Sequence, residues 1–205
     1  MFRVDTQGKT ASKNYVIRVH DQPAGIAAAA WNALLGEQPS ATPFMRHEYL
    51  TALHESGSAT AETGWRPQFL SVCEGDTLVA ACPLYIKDHS YGEYVFDWAW
   101  ADASHRLREP YYPKLVSMIP LTPATGRRLL MADDITAKKR AAITAKLVEG
   151  AFEAADKVDA SSIHMLFVTQ EEERALIADK RLRPRASSQF HWHNDGYKTF
   201  DDYLA

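Results

Sequence analysis

The order of apolar and polar residues along the chain predicts a sheet interrupted by helices. Residues 14–20 alternate apolar and polar side chains, which is typical of a half-buried strand, and residues 42–55 have the spacing of an amphipathic helix. Strands are predicted at residues 14–20, 68–73, 78–87, 94–100, 113–120, 161–168 and 183–193, and helices at residues 23–35, 42–55, 136–155 and 170–178. A meander of strands followed by alternating helices and strands indicates a mixed α/β fold of the α+β kind.

Residues 89–102 combine aromatic and acidic side chains. Four aromatic residues alternate, so a strand would place their rings on one face: Tyr94, Phe96, Trp98 and Trp100. Glu93 and Asp97 would then share the opposite face. Because burying a carboxylate is unfavourable unless it is partnered, the pattern favours the wall of a binding site. The alternative is a half-exposed strand whose acids are solvated.

Composition and charge argue against some classes of function. The 205 residues are 46% hydrophobic and 24% charged, as in an ordinary globular protein. A formal charge of −3 argues against a protein that coats nucleic acid. No apolar run approaches the roughly 20 residues of a membrane span, and the first residues do not form a signal peptide, so we expect a cytoplasmic protein.

The last residues have the pattern of a helix start. Thr199 with Asp202 three residues later fits a capping box, and three residues follow. A helix this short does not persist alone, which predicts that the natural protein continues beyond Ala205. A full-length protein with a frayed tail is the alternative.

Six sequence blocks, in the same order from about residue 14 to the C-terminus, carry a resemblance to a known family: residues 44–50, 83–87, 89–102, 111–115, 120–127 and 189–194. In these blocks the chain resembles the FemAB-like "peptidoglycan biosynthesis/recognition" family, bacterial relatives of GNAT acyltransferases. The resemblance implies a GNAT-like, mostly antiparallel mixed sheet flanked by helices. It also implies two GNAT-like halves, of which residues 1–195 would be the first and residues 196–205 the start of a truncated second.

Two departures limit what the resemblance transfers. A CoA-dependent GNAT holds pyrophosphate on a glycine-rich loop that leads into a helix. The corresponding residues 122–128 contain one glycine and a proline that lacks an N–H donor. The Fem enzymes also carry an Arg-Gly-Pro signature where this chain has residues 97–100. A CoA site in this half is therefore doubtful, and Fem substrate contacts cannot be carried over.

A basic segment is the candidate anion site. Residues 104–128 hold five cationic side chains and one acid: Arg106, Arg108, Lys114, Arg127, Arg128 and Glu109. Within it, Thr125, Gly126, Arg127 and Arg128 are the candidate cofactor-binding residues. They would bind a phosphate, a nucleotide-linked precursor or the acceptor end of a tRNA. A solvated basic loop is the alternative.

Glu93 and Asp97 are the candidate catalytic acids, because a carboxylate buried among aromatic rings can have a raised pKa and can act as general base towards an ammonium. A structural hydrogen-bonding role is the alternative. Tyr91, Trp98, Trp100, His191 and His193 are the candidate substrate-binding residues. The alternating His191 and His193 could bind zinc with Asp195, but no convincing ligand spacing is present, so no metal is predicted.

The sequence thus predicts an N-acyltransferase or aminoacyltransferase that moves an acyl group onto an amine, such as that of a cell-wall precursor. The donor would be an acyl-CoA or an aminoacyl-tRNA, and no firmly bound cofactor is expected. The amine would attack the donor directly, without a covalent enzyme intermediate. The competing interpretation is a non-catalytic module that binds a cell-wall or nucleotide-linked ligand.

Overall fold

The computed structural model describes residues 15–36, 41–95, 97–132, 134–186, 188, 190 and 192–204, together with the backbone of residues 2–4. The strands are β1 Phe2–Val4, β2 Tyr15–His20, β3 Arg66–Pro67, β4 Phe69–Glu74, β5 Thr77–Cys82, β6 Tyr85–Lys87, β7 Lys114–Ser117, β8 Leu130–Met131 and β9 Ile163–Met165. The α-helices are α1 Ala28–Gly36, α2 His47–Glu55, α3 Trp98–Leu107, α4 Ala137–Asp156, α5 Gln170–Leu176 and α6 Phe200–Leu204. Short 3₁₀ helices at Pro23–Gly25 and Pro43–Met45 precede α1 and α2.

Two sheets carry the domain. The first has the strand order β1-β2-β4-β5-β8 and is antiparallel, and the second has the order β3-β6-β7-β9. In the second sheet β7 and β9 run parallel, whereas its other pairs are antiparallel. The predicted mixed α+β class with a mostly antiparallel sheet is confirmed.

Helices cover both faces of the first sheet. On one face, Ile143 and Leu147 of α4 belong to the same buried cluster as Leu70 of β4. On the other face, Trp31 of α1 stacks on Phe69 with ring centroids 5.7 Å apart. Adjacent residues of β4 therefore face different clusters, as the alternation of side chains along a strand requires.

Helix starts follow the sequence closely. Thr136 and Thr169 accept hydrogen bonds from backbone N–H groups three residues on, which begins α4 and α5 where their capping residues predict. The capping box at Thr199 also forms, because the N–H of Asp202 donates to the Thr199 hydroxyl.

No helix among the residues described here is both long enough and apolar enough to cross a membrane.

Two predicted strands are wrong. The described part of residues 94–100 contains no strand: Tyr94, Val95 and Asp97 lie outside helices and strands, and α3 begins at Trp98, while Phe96 lies outside the described residues. The chain turns at Gly92 and Tyr94, whose φ angles are +79° and +55°, and these are incompatible with a strand. The described part of residues 183–193 also contains no strand. Its side chains are exposed, and it pairs with no neighbouring strand that could satisfy its backbone.

Candidate active site

A fully buried lysine stands at the centre of the site. Lys114 is the first residue of β7, and its side chain has no exposed surface. Its ammonium donates to Ser90 Oγ at 2.8 Å, to Glu93 Oε2 at 2.8 Å and to Asp97 Oδ2 at 2.6 Å. An ammonium has three N–H donors, so these three acceptors satisfy it completely. Lys114, one of the five cations of the predicted basic segment, is thus bonded inside the protein.

The loop between β6 and α3 supplies all three acceptors. Its sharp turn at Gly92 is held against the protein, since a Cβ at Gly92 would lie 2.5 Å from Leu121 Cδ2 and 3.2 Å from Trp65 Cζ2. The positive φ of Gly92 and the close approach both favour glycine. The turn brings Glu93 and Asp97 to the same ammonium although they do not share a strand face.

Two tyrosines complete the network around the lysine. The Tyr111 hydroxyl donates to Asp97 Oδ2 at 2.8 Å, and the Tyr112 hydroxyl lies 2.8 Å from Ser90 Oγ. Their rings meet edge to face at 4.9 Å, with centroids 5.4 Å and 5.6 Å from Lys114 Nζ. Both tyrosines are partly exposed, so the network extends from the buried lysine to the surface.

The two acids are buried, and their pKa values are shifted in opposite directions. Each has 1% of its surface exposed, and Glu93 Oε1 and Asp97 Oδ1 have no hydrogen-bond partner among the described residues. Burial raises the pKa of Glu93 despite the hydrogen bond from Lys114. Burial acts on Asp97 in the same direction, but donation from Lys114, Tyr111 and Ser90 outweighs it and lowers the pKa of Asp97. Neighbouring carboxyls with pKa values moved apart are typical of acid–base sites.

A second buried lysine lies beside the first. Lys87 of β6 pairs directly with Lys114 in the antiparallel register, and like charges at such positions repel. Its ammonium donates to the Tyr91 carbonyl at 3.1 Å and lies 3.5 Å from the centre of the Trp65 ring. Burial lowers the pKa of Lys87 to about 8, although Glu93 opposes this shift. Sequence reasoning did not select Lys87.

The predicted substrate-binding aromatics lie outside the buried network. Tyr91, Trp98 and Trp100 are exposed, and the rings of Tyr91 and Trp98 meet at 5.6 Å. Trp98 also lines an open depression of about 440 Å³ on α3, with Ala99, Ala101, Asp102 and His105. His191 lies outside the described residues. His193 is exposed on the chain after α5.

The predicted anion-binding residues are mostly engaged with the protein itself. The buried Arg128 guanidinium donates to the carbonyls of Leu166, Phe167 and Ala124, and the Gly126 N–H donates to the Phe167 carbonyl. Arg127 forms an ion pair with Glu171 at 2.8 Å. These hydrogen bonds hold the loop together in this conformation, and the assignment of Gly126 and Arg128 to an anion site stays a prediction. Thr125 is exposed.

A carboxylate that the sequence did not single out for function anchors that loop. Glu172 of α5 accepts hydrogen bonds from the backbone N–H groups of Arg128 and Leu129. Burial raises the pKa of Glu172 to about 7, although these hydrogen bonds oppose the shift.

Within the described residues, no group of three histidine, cysteine, aspartate or glutamate side chains is placed to hold a metal ion.

Comparisons with known proteins identify the family. The chain is similar to a ribosomal-protein-alanine N-acetyltransferase from Brucella melitensis biovar Abortus 2308, with 11% identity over 88% of this chain and 98% of that one and a TM-score of 0.49. It is also similar to a possible acetyltransferase from Clostridium difficile 630, with 12% identity over 87% of this chain and 97% of that one and a TM-score of 0.49. No curated protein matches. Residues 22–205 match the FemAB-like family of peptidoglycan biosynthesis/recognition, so this chain belongs to the FemAB-like family.

Proposed function

We propose that this chain is an N-acyltransferase or aminoacyltransferase that moves an acyl group onto an amine of a cell-wall precursor. Its membership of the FemAB-like family supports the reaction class and the cell-wall connection. The buried pair of Glu93 and Asp97 supports the chemistry, because an attacking amine must first lose a proton.

The observation that carries the proposal is that two buried carboxyl groups, Glu93 and Asp97, are bonded to the one ammonium of Lys114. Burial raises the pKa of Glu93, whereas hydrogen bonds from Lys114, Tyr111 and Ser90 lower the pKa of Asp97. Glu93 is therefore the proposed general base, and Asp97 the charge that balances Lys114. Exposed Tyr91 and Trp98 beside the same loop are the proposed surface for the acceptor.

The proposed donor is an acyl-CoA or an aminoacyl-tRNA, which the acceptor amine attacks directly. Arg128 is fully buried and the Gly126 N–H is bonded to the Phe167 carbonyl, so the donor phosphates would be held elsewhere. We also propose, as the family resemblance implies, that residues 196–205 open a second GNAT-like unit.

The test is turnover by the purified chain. Labelled acetyl-CoA or aminoacyl-tRNA would be incubated with amine acceptors, including a UDP-linked muramyl peptide. Glu93→Gln should reduce transfer by about 100-fold, the usual contribution of one general base. Glu48→Gln is the matched control, because Glu48 is an exposed acid on α2 outside the buried network. Full activity of Glu93→Gln would exclude this carboxylate as the base.

A non-catalytic binding module is the second candidate. The exposed rings of Trp98 and Trp100 and the open depression on α3 favour it, because unpaired aromatic surface suits recognition of a ligand. Tight binding of the muramyl peptide without turnover, reduced in Trp98→Ala, would support the module over the enzyme.

A further inference from the structure

A serine and a histidine lie side by side at β9. Ser162 Oγ is 2.9 Å from His164 Nε2, and both side chains are partly exposed. Residues two apart on a strand share a face, and the pairing of His164 with Val116 puts that face on the same side of the sheet as Lys114. Ser162 and His164 therefore lie on the side of the second sheet that carries the buried lysine network.

A second serine–histidine contact in the chain shows what a purely structural pair looks like. His20 Nε2 is 2.8 Å from Ser71 Oγ, but Ser71 is 2% exposed and lies on β4, the central strand of the first sheet. That hydroxyl is closed to a substrate. Ser162 instead directly precedes β9, the last strand in the order of the second sheet, so its hydroxyl is at an edge of the fold.

The backbone beside Ser162 has a donor that points away from the sheet. The Leu115 N–H donates to the Ser162 carbonyl, and the Leu166 N–H donates to the Ser117 carbonyl. Successive residues of a strand direct their backbone groups to opposite sides, so the Ile163 N–H points away from β7. Among the described residues β9 pairs with β7 alone, which leaves this N–H without a partner there. A backbone N–H next to a nucleophile is a donor of the kind that stabilises an oxyanion.

His164 is neutral at pH 7, so its ring can accept a hydrogen. Burial lowers the pKa of His164 to about 4, the charges of Lys114 and Arg185 act in the same direction, and Asp97 opposes them. With its own hydrogen on Nδ1, the imidazole accepts the Ser162 hydroxyl hydrogen at Nε2. A hydroxyl within hydrogen-bond distance of a neutral imidazole is the arrangement of an activated nucleophile.

We propose that Ser162 and His164 form a second catalytic site, which hydrolyses activated acyl esters. Ser162 Oγ attacks the acyl carbon while His164 Nε2 takes the hydroxyl proton. The bond between the acyl carbon and the leaving oxygen breaks, and the imidazolium gives its proton to that oxygen. Water then attacks the acyl group on Ser162, His164 takes one proton from the water, and the imidazolium returns it to Ser162 Oγ as the ester bond breaks. One ester and one water yield one carboxylic acid and one alcohol, so the atoms and charges balance.

This hydrolysis goes beyond the proposed transfer to an amine and does not depend on it. The test uses 4-nitrophenyl acetate as the probe. Ser162→Ala and His164→Gln should each lower the rate of 4-nitrophenolate release by about 100-fold. Mass spectrometry of the acid-quenched wild type should find an acetyl group on Ser162. Ser71→Ala is the matched control, because it removes the hydroxyl of the buried pair, and it should keep the wild-type rate.

Three results would overturn the dyad. They are a wild-type rate in Ser162→Ala, a loss in Ser71→Ala equal to that in Ser162→Ala, and acetylation confined to residues other than Ser162. Circular dichroism of each variant establishes that it is folded, so that a lost rate reports on the removed group.

A pH profile distinguishes His164 from an ordinary exposed histidine. The part of the rate that Ser162→Ala loses should rise with pH as His164 loses its proton, with a midpoint near the lowered pKa of about 4, and should be level at pH 7. A midpoint near the ordinary value of 6.5 would mean that another imidazole supplies the base, and it would overturn the assignment of His164.

Discussion

Replacement of Lys114, which removes the ammonium at the centre of the buried network, is the most direct test of the site. Lys114→Met keeps the length and apolar stem of the side chain but removes the only cation bonded to Glu93 and Asp97 among the described residues. Both acids have 1% of their surface exposed, so water cannot replace the lost partner without opening the loop. Ser90 loses a donor as well.

The expected loss is large because the pair is buried. Removing one partner of a buried ion pair typically lowers the free energy of unfolding by about 3–5 kcal/mol. In a chain of this size 1 kcal/mol moves the midpoint of thermal unfolding by about 2–4 °C, so the midpoint should fall by about 6–20 °C. The loss must depend on pH, since an unpaired buried carboxylate can take up a proton.

The sign of the pH dependence follows from Asp97. Its pKa is lowered from the ordinary value of 3.8, with Lys114 among the causes, so its stabilisation is present above that value and is lost as pH falls through the folded pKa. Without Lys114 the pKa of both acids rises. The difference between wild type and Lys114→Met should therefore be greatest at pH 7 and should shrink towards pH 4.

Urea unfolding at pH 7 and pH 4 measures this difference. Lys139→Met is the control, because Lys139 pairs with Glu74 at 3.0 Å but both side chains are 27% exposed. That variant should lose no more than about 1 kcal/mol at either pH. A Lys114→Met loss below about 1 kcal/mol, or one of equal size at both pH values, would refute the assignment of Lys114 as the partner of ionised acids.

Three further outcomes are expected. Lys87→Met should leave the free energy of unfolding within about 1 kcal/mol of wild type at pH 7, because the lost hydrogen bond is offset by removal of an ammonium that burial disfavours. Since the pKa of Lys87 is lowered to about 8, the wild type gains stability as the pH is raised to 10, and the stability of Lys87→Met relative to wild type should fall. The wild type should lose up to about 3 kcal/mol between pH 4.5 and pH 7 from Glu172, whose pKa is raised to about 7, and urea titrations of Glu172→Gln should lack this fall. Trp98→Ala should change the unfolding free energy by less than about 0.5 kcal/mol, since the ring is 51% exposed, while calorimetry should show weaker ligand binding.

Local signals in the sequence were sufficient for much of the fold. The hairpin of β4 and β5 has its turn at Gly75, where φ is +62°, and the capping threonines begin α4 and α5 as predicted. The alternation of aromatic residues gave a wrong strand prediction, because an alternation over only seven residues competes with the preference of individual residues for turns and helices. Gly92 favours a turn, and Ala99, Ala101 and Ala103 beside the tryptophans favour a helix, and these signals prevailed.

The site was predictable only in part, because its centre is set by pairing between strands. Glu93 and Asp97 stood out as acids in an apolar setting, and the structure buries both. Lys87 ends one predicted strand and Lys114 lies near the start of another, but neither position reveals that β6 and β7 place them opposite each other. A charged residue inside an apolar strand was the available signal, and Lys114 was assigned to the candidate anion-binding segment instead.

Stability alone does not account for a lysine and two acids buried together. Replacing a buried ionic group by neutral side chains of similar volume is often harmless or stabilising, whereas breaking it is not. The combination of Lys114→Met, Glu93→Met and Asp97→Asn removes all three charges and keeps an oxygen for Ser90 and Tyr111 to donate to. Its unfolding free energy should exceed that of Lys114→Met alone by at least about 2 kcal/mol, while transfer activity is abolished. A triple variant as unstable as Lys114→Met would mean that the network is retained for folding. The stability argument for a proton-transfer site would then fail.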